Sequence, residues 1–189
     1  MSIKSKEEKG QFPASVRAVA PDQVTLEVTN LIGSREALIQ VDHGSYTIDV
    51  PSKRSGTDRR KRGAGSWGGI PLRWASELFL GRIPCPEGPS SVRRLEVTPE
   101  GDLIAETESA NGGSGERFTF HFRQWAGKPW PESLHWERLG RSGRGAARVD
   151  FKFDDPEDKT GSPKKWGAKS ALGEVKLRWT ELRIDASRN

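Results

Sequence analysis

Apolar and polar positions along this chain alternate mainly with a period of two, the signature of strands with one buried face. Val24, Leu26 and Val28 alternate with Thr25, Glu27 and Thr29. Ala37, Ile39 and Val41 form a second run and Tyr46, Ile48 and Val50 a third, separated by the turn residues Asp42, His43, Gly44 and Ser45. Leu95 with Val97 and Leu103 with Ala105 flank the turn sequence Pro99, Glu100, Gly101, Asp102. Phe118, Phe120 and Phe122 alternate with Thr119, His121 and Arg123. Leu134 with Trp136, then Val149, Phe151 and Phe153, then Val175, Leu177 and Trp179 complete the series. Short strands joined by turn residues at this spacing predict an antiparallel sandwich or barrel.

One segment departs from the pattern. Residues 71–80, PLRWASELFL, place Leu72, Ala75, Leu78 and Phe79 on one helical face, with proline suited to the first turn and Gly81 to the C-terminal cap. A single short helix lying on the sheet, or in its mouth, is expected there. The segments 51–69, 82–91, 109–115, 140–147 and 154–173 read as loops. Residues 1–10 are polar and expected to be disordered, and the 189-residue length with no strong linker predicts one domain over 11–186.

Composition changes the picture in three ways. The hydrophobic share of 33% is low for a globular domain, yet those residues are gathered into the alternating runs while 21 Gly and 12 Pro fall between them, so the core is thin. A net charge of +5 raises the prospect of anionic partners, nucleic acid or lipid headgroups. The single cysteine, Cys85, excludes an intramolecular disulfide. No stretch approaches the roughly 20 apolar residues of a membrane-spanning helix, and no signal segment or lipid anchor is expected within this chain.

Candidate chemistry is sparse. Residues 63–68, GAGSWG, match the spacing of a dinucleotide fingerprint, but a basic run precedes them and no βαβ unit follows, so they read as a flexible lead-in to the helix. Residues 53–62, KRSGTDRRKR, set six basic side chains against Asp58, without interleaved aromatics or a helix-turn-helix, RNP or zinc pattern. A solvated loop is the plainer reading. A binding surface for nucleic acid or for an anionic membrane, carried by Arg59, Arg60, Lys61 and Arg62, is the functional one. The three histidines are His43 in a turn and His121 and His135 on polar strand positions, with no Ser or Cys nucleophile near them in sequence. No catalytic residue, metal ligand or cofactor is assigned, and the chain is not expected to be an enzyme. The aromatics Trp74, Trp125, Trp130, Trp136, Trp166 and Trp179 with Phe118, Phe120 and Phe122 fit either a packed β core or the lining of a concave apolar cavity.

Two segments bear on that choice. Residues 24–34 read VTLEVTNLIGS, a strand followed by Thr29-Asn30, two apolar residues and Gly33-Ser34; residues 69–84 read GIPLRWASELFLGRIP. In this order and separation they resemble the LolB family of outer-membrane lipoprotein receptors, within the LolA/LolB-like lipoprotein localisation proteins. The strand pair near 95–108, the aromatic strand 118–123, Pro131 leading into Leu134 and Trp136, and a last strand at 175–184 follow the same order. The resemblance covers roughly residues 13–139 and 174–185.

The resemblance implies an incomplete antiparallel β-barrel, or curved sheet, whose short capping helix helps enclose an apolar cavity for acyl chains. Its lining would be Val24, Leu26, Val28, Trp74, Leu78, Phe118, Phe120, Phe122, Leu134 and Trp136. In the family, the loop after the Thr-Asn strand carries an exposed leucine that engages the membrane. Ile32 occupies that position here, with Leu31 where a proline is usual and Gly33 closing the turn. Independently, two adjacent branched apolar residues in so tight a turn cannot both point into a core, so one is expected at the surface. The function implied is to take lipoprotein acyl chains, or another lipid, from a periplasmic LolA-like carrier and place them in the outer membrane. The chain would act as a monomer on the periplasmic face of that membrane, without cofactor or nucleic acid. A LolA-like soluble carrier and a basic nucleic-acid-binding protein are the alternatives.

Overall fold

Described in the computed structural model are residues 1–5, 9–19, 22–51, 59–86, 92–108, 115–140, 145–157 and 161–181. The protein is mainly β; among the described residues the antiparallel sheets do not close into a barrel and there is one short α-helix. It forms two compact units, Met1–Pro84 with Trp179–Asn189, and Cys85–Arg178, where the sequence was read as one domain over 11–186.

The first unit opens with a hairpin of β1 (Ser2–Ser5) and β2 (Lys9–Gln11), pairing Ser2 with Gln11, where the sequence suggested a disordered lead-in. Next come β3 (Ala14–Val19), β4 (Gln23–Thr29), β5 (Arg35–Asp42), β6 (Ser45–Val50) and β7 (Arg59–Ala64), a five-stranded sheet in sequence order. Its register builds two apolar rows on one face. One runs Ala18, Val24, Val41, Tyr46, Gly63; the other runs Val16, Leu26, Ile39, Ile48 and ends at the exposed Lys61. A two-residue ladder of β8 (Ser66–Trp67) and β9 (Ile70–Pro71) leads to a 3₁₀ turn, Leu72–Trp74, and then α1 (Ala75–Phe79). Leu72 and Ala75 pack on Val24 and Val41, with Trp67 and Phe79 against the same cluster. Gly81, at φ 73°, caps the helix: Arg82 N donates to Glu77 O at 2.8 Å and Gly81 N to Leu78 O at 3.2 Å. Trp179 belongs to this unit, edge-on to Phe79 with ring centres 6.5 Å apart.

The basic segment read as part of a 51–69 loop is therefore strand from Arg59 to Ala64. Pairing with β6 dictates this, since no apolar alternation of its own marks it. Gly63 serves that pairing directly, because a Cβ there would lie 2.4 Å from the Tyr46 ring.

The second unit is an antiparallel series: β10 (Val92–Val97), β11 (Leu103–Thr107), β12 (Glu116–Trp125), β13 (Lys128–Leu139), β14 (Gly145–Phe153), β15 (Lys165–Ser170) and β16 (Gly173–Arg178). One apolar row crosses it as Val97, Leu103, Phe120, Leu134, Phe151, Ala168, Val175; a second runs Leu95, Ala105, Phe118, Trp136, Val149. The aromatic rings stack along their strands, Phe118 on Phe120 at 6.3 Å and Phe151 on Phe153 at 6.2 Å. β15 lies inside the segment 154–173 read as loop, where only Trp166 and Ala168 turn inward to mark it.

The opposite face of this unit is a ladder of charge. Arg94, Glu106, Arg117, Glu137 and Arg148 stand side by side across β10 to β14. Arg117 reaches Glu106 and Glu137, each at 2.8 Å, and Arg94 reaches Glu106 at 3.7 Å. The side-chain hydrogen bond to Glu106 leads in holding the Arg117 guanidinium above its ordinary pKa. Opposite charges in directly facing positions add cross-strand attraction, so one face is apolar and the other self-neutralising.

Candidate functional site

The turn between β4 and β5 is built by Asn30. Its Oδ1 accepts from Ile32 N at 3.1 Å and from Ser34 N at 2.9 Å, while its Nδ2 donates to Glu36 Oε1 at 2.9 Å. Asn30 N donates to Ser34 O at 2.9 Å and Gly33 N to Asn30 O at 3.1 Å; Gly33 takes φ 84°. Side-chain capping of this kind fixes the turn through polar groups. The two residues at its tip contribute no packing to it: Leu31 is 92% and Ile32 86% exposed. The sequence reading asked for one exposed apolar residue, and both are.

Charge flanks this tip. Antiparallel order brings the end of β6 and the start of β7 to the same end of the sheet as the β4–β5 turn. Arg35, exposed, opens β5 there, Val50 faces Arg59 in register, and Arg60 faces Asp49, to which its Nε lies 3.1 Å away. Arg60, Lys61 and Arg62 are exposed. They leave the strand on alternate faces, Lys61 beside Ile48 and Arg60 and Arg62 beside Asp49 and Thr47, so these three do not form a single patch. Lys53 and Arg54 lie outside the described residues. At the other end of the sheet Asp22, Asp42 and His43 bring potential metal-ligand atoms within 4.8 Å of one another, with His43 Nδ1 3.0 Å from Asp22 and Nε2 3.7 Å from Asp42. Both ring nitrogens thus face carboxylates in a surface polar cluster.

The residues expected to line a cavity separate into groups by unit. Val24, Leu26 and Val28 share one face of β4, and Trp74 and Leu78 lie on the helical segment, all buried. Phe118, Phe120, Leu134 and Trp136 are one contiguous patch on two neighbouring rows of the second unit, each no more than 6% exposed. Phe122 departs from them: it continues the Phe120 row with ring centres 6.2 Å apart, but at a register shift beside Pro131 it is 39% exposed.

The two strand histidines lie beside carboxylates on the sheet surface. His121 lies 2.7 Å from Asp102 and His135 2.6 Å from Asp150. Cys85 is exposed and carries no disulfide. Glycines 63, 65 and 68 of the fingerprint-like run serve a strand and two tight turns, the last two with φ 78° and 59°. A pocket of about 430 Å³ in the second unit was missed from the sequence; Arg123, Glu132, Phe153, Asp154, Asp155, Pro156, Glu157 and Lys164 line it, and its mixed charges suit no apolar guest. No family model matches the chain, and no curated protein matches it.

Proposed function

We propose that this protein binds lipid acyl chains and hands them to a membrane, as the LolB receptors that residues 24–34 and 69–84 resemble do. The observation that carries the reading is the Leu31–Ile32 tip. Its fold is maintained by Asn30 and backbone bonds, so its apolar side chains are free to serve a surface outside the protein. Exposed apolar residues at the apex of a rigid turn can enter the headgroup and acyl boundary, and arginines near the same sheet end suit anionic headgroups.

In this reading acyl chains are held against apolar sheet faces, with Phe118, Phe120, Leu134 and Trp136 as the candidate surface of the second unit, and Val24, Leu26 and Val28 with Trp74 and Leu78 as that of the first. Each methylene shielded from water contributes about 0.8 kcal/mol, so holding a chain needs no charged contact and breaks no covalent bond. The cargo is a lipoprotein or another acylated lipid, received from a LolA-like carrier in the periplasm and released at the outer membrane.

The test uses a fluorescent long-chain fatty acid as the probe and vesicles containing phosphatidylglycerol as acceptor. Ile32→Glu keeps the thermal transition and the probe affinity of the unaltered chain but slows transfer to the vesicles. Undiminished transfer removes the role of the tip, and absence of probe binding in the unaltered protein removes the lipid reading altogether.

A further inference from the structure

β10 is the edge of the second unit's sheet: it bonds to β11 on one side and, among the described residues, to no strand on the other. An open edge is a template for another strand, and soluble proteins usually blunt it. Here residues 93–97 are all exposed, and Leu95 and Val97, at 67% and 68%, carry the apolar rows of the sheet out to its rim. Arg94 and Glu96 carry the charged face to the same rim, Arg94 beside Glu106 and Glu96 beside Ile104.

The order of these side chains selects a partner. We infer that β10 pairs antiparallel with β10 of a second copy of this chain, about a two-fold axis through Leu95. In that register Arg94 stands opposite the second copy's Glu96, Glu96 opposite its Arg94, and Leu95 opposite its Leu95. The two opposite-charge pairs fall on the charged face and extend the Arg94–Glu106–Arg117–Glu137 row into the neighbouring sheet. The leucine pair falls on the apolar face. An axis through residue 94 would oppose Arg94 to itself, and one through 96 would oppose Glu96 to itself. A slip of half a step would join the apolar face of one sheet to the charged face of the other. Arg94 already meets Glu96 and Glu106 within its own chain, so the charges are held in place before association. A contact confined to one short strand is small, and the dimer is weak, in the micromolar range.

Sedimentation velocity of the full chain from about 1 to 500 µM reads the monomer–dimer equilibrium across that range. Arg94→Glu and Glu96→Arg each set like charges opposite each other twice and raise the dimer dissociation constant about tenfold or more. Mixed in equal amounts, the two variants regain complementary strands and associate as the unaltered chain does, which also shows that both are folded. In a Cys85→Ser background, Leu95→Cys forms an interchain disulfide under mild oxidation, whereas Val97→Cys, facing Arg93 in this register, does not. A chain that stays monomeric over the whole range overturns the inference. So does a dimer indifferent to both charge reversals, which would place its interface elsewhere, or a mixture that fails to associate.

Discussion

Replacing both tip residues, Leu31→Ser with Ile32→Ser, separates membrane contact from folding. The side chains are 92% and 86% exposed, so nearly all of their transfer from water is still available to an external apolar phase. Full burial of side chains of this size contributes about 1.5–3 kcal/mol each. A tip that stops at the headgroup and acyl boundary realises about half of that, which for the pair amounts to about 1.5–3 kcal/mol, or roughly 10- to 150-fold in vesicle partitioning. Folding stability should move by no more than about 0.5 kcal/mol, because exposed positions without partners contribute little. The assay is flotation with vesicles of phosphatidylethanolamine and phosphatidylglycerol, with a thermal melt of each variant beside it. Leu172→Ser serves as the control, since Leu172 is also an exposed apolar residue, at 64%, but lies in the β15–β16 turn. Equal flotation of the double variant and the unaltered chain refutes the reasoning, as does an equal loss in the Leu172 control.

Three further outcomes follow from the same geometry. Asn30→Ala removes the acceptor of two backbone N–H groups and the donor to Glu36, and should lower stability by about 1–2 kcal/mol in urea while weakening flotation with the apolar tip residues unchanged. Gly63→Ala puts a Cβ 2.4 Å from the Tyr46 ring and should cost about 1–3 kcal/mol, measured by urea midpoint and partly recovered by Tyr46→Leu in the same chain. Neutralising Arg60, Lys61 and Arg62 to Gln should weaken binding to anionic vesicles by about 1 kcal/mol or less per residue and leave zwitterionic vesicles unaffected; steep salt-dependent binding to DNA by the unaltered chain would instead favour the nucleic-acid alternative.

The sheets were legible wherever a strand buries one face against its own sheet. The alternations at 24–28, 118–122 and 149–153 became β4, β12 and β14 because each inward residue has an inward neighbour in register. β7 was hidden for the opposite reason. Its Arg-Arg-Lys-Arg run carries no apolar signal, and its place at the sheet edge is set by β6 and by the space Gly63 leaves for Tyr46. β15 was hidden by brevity, two inward residues between lysines. The segment read as one helix over 71–80 divides into a 3₁₀ turn and a single α turn, since the 3.6 period fixes which side faces inward but not where tight winding relaxes. The tip was legible from Gly33 and its two apolar neighbours; what fixes it, the triple use of the Asn30 amide, depends on the turn bringing Ser34 back to Asn30 and on Glu36 of the next strand. Period-two alternation is the same for a face that packs solid and for a face that wraps a guest, so the pattern alone could not choose between core and cavity.

That choice is what native mass spectrometry of the purified chain decides, before and after incubation with a long-chain fatty acid. Acyl-chain binding predicts discrete adducts of lipid mass that survive gentle ionisation and are displaced by the added fatty acid. A spectrum of bare protein both before and after incubation would contradict it.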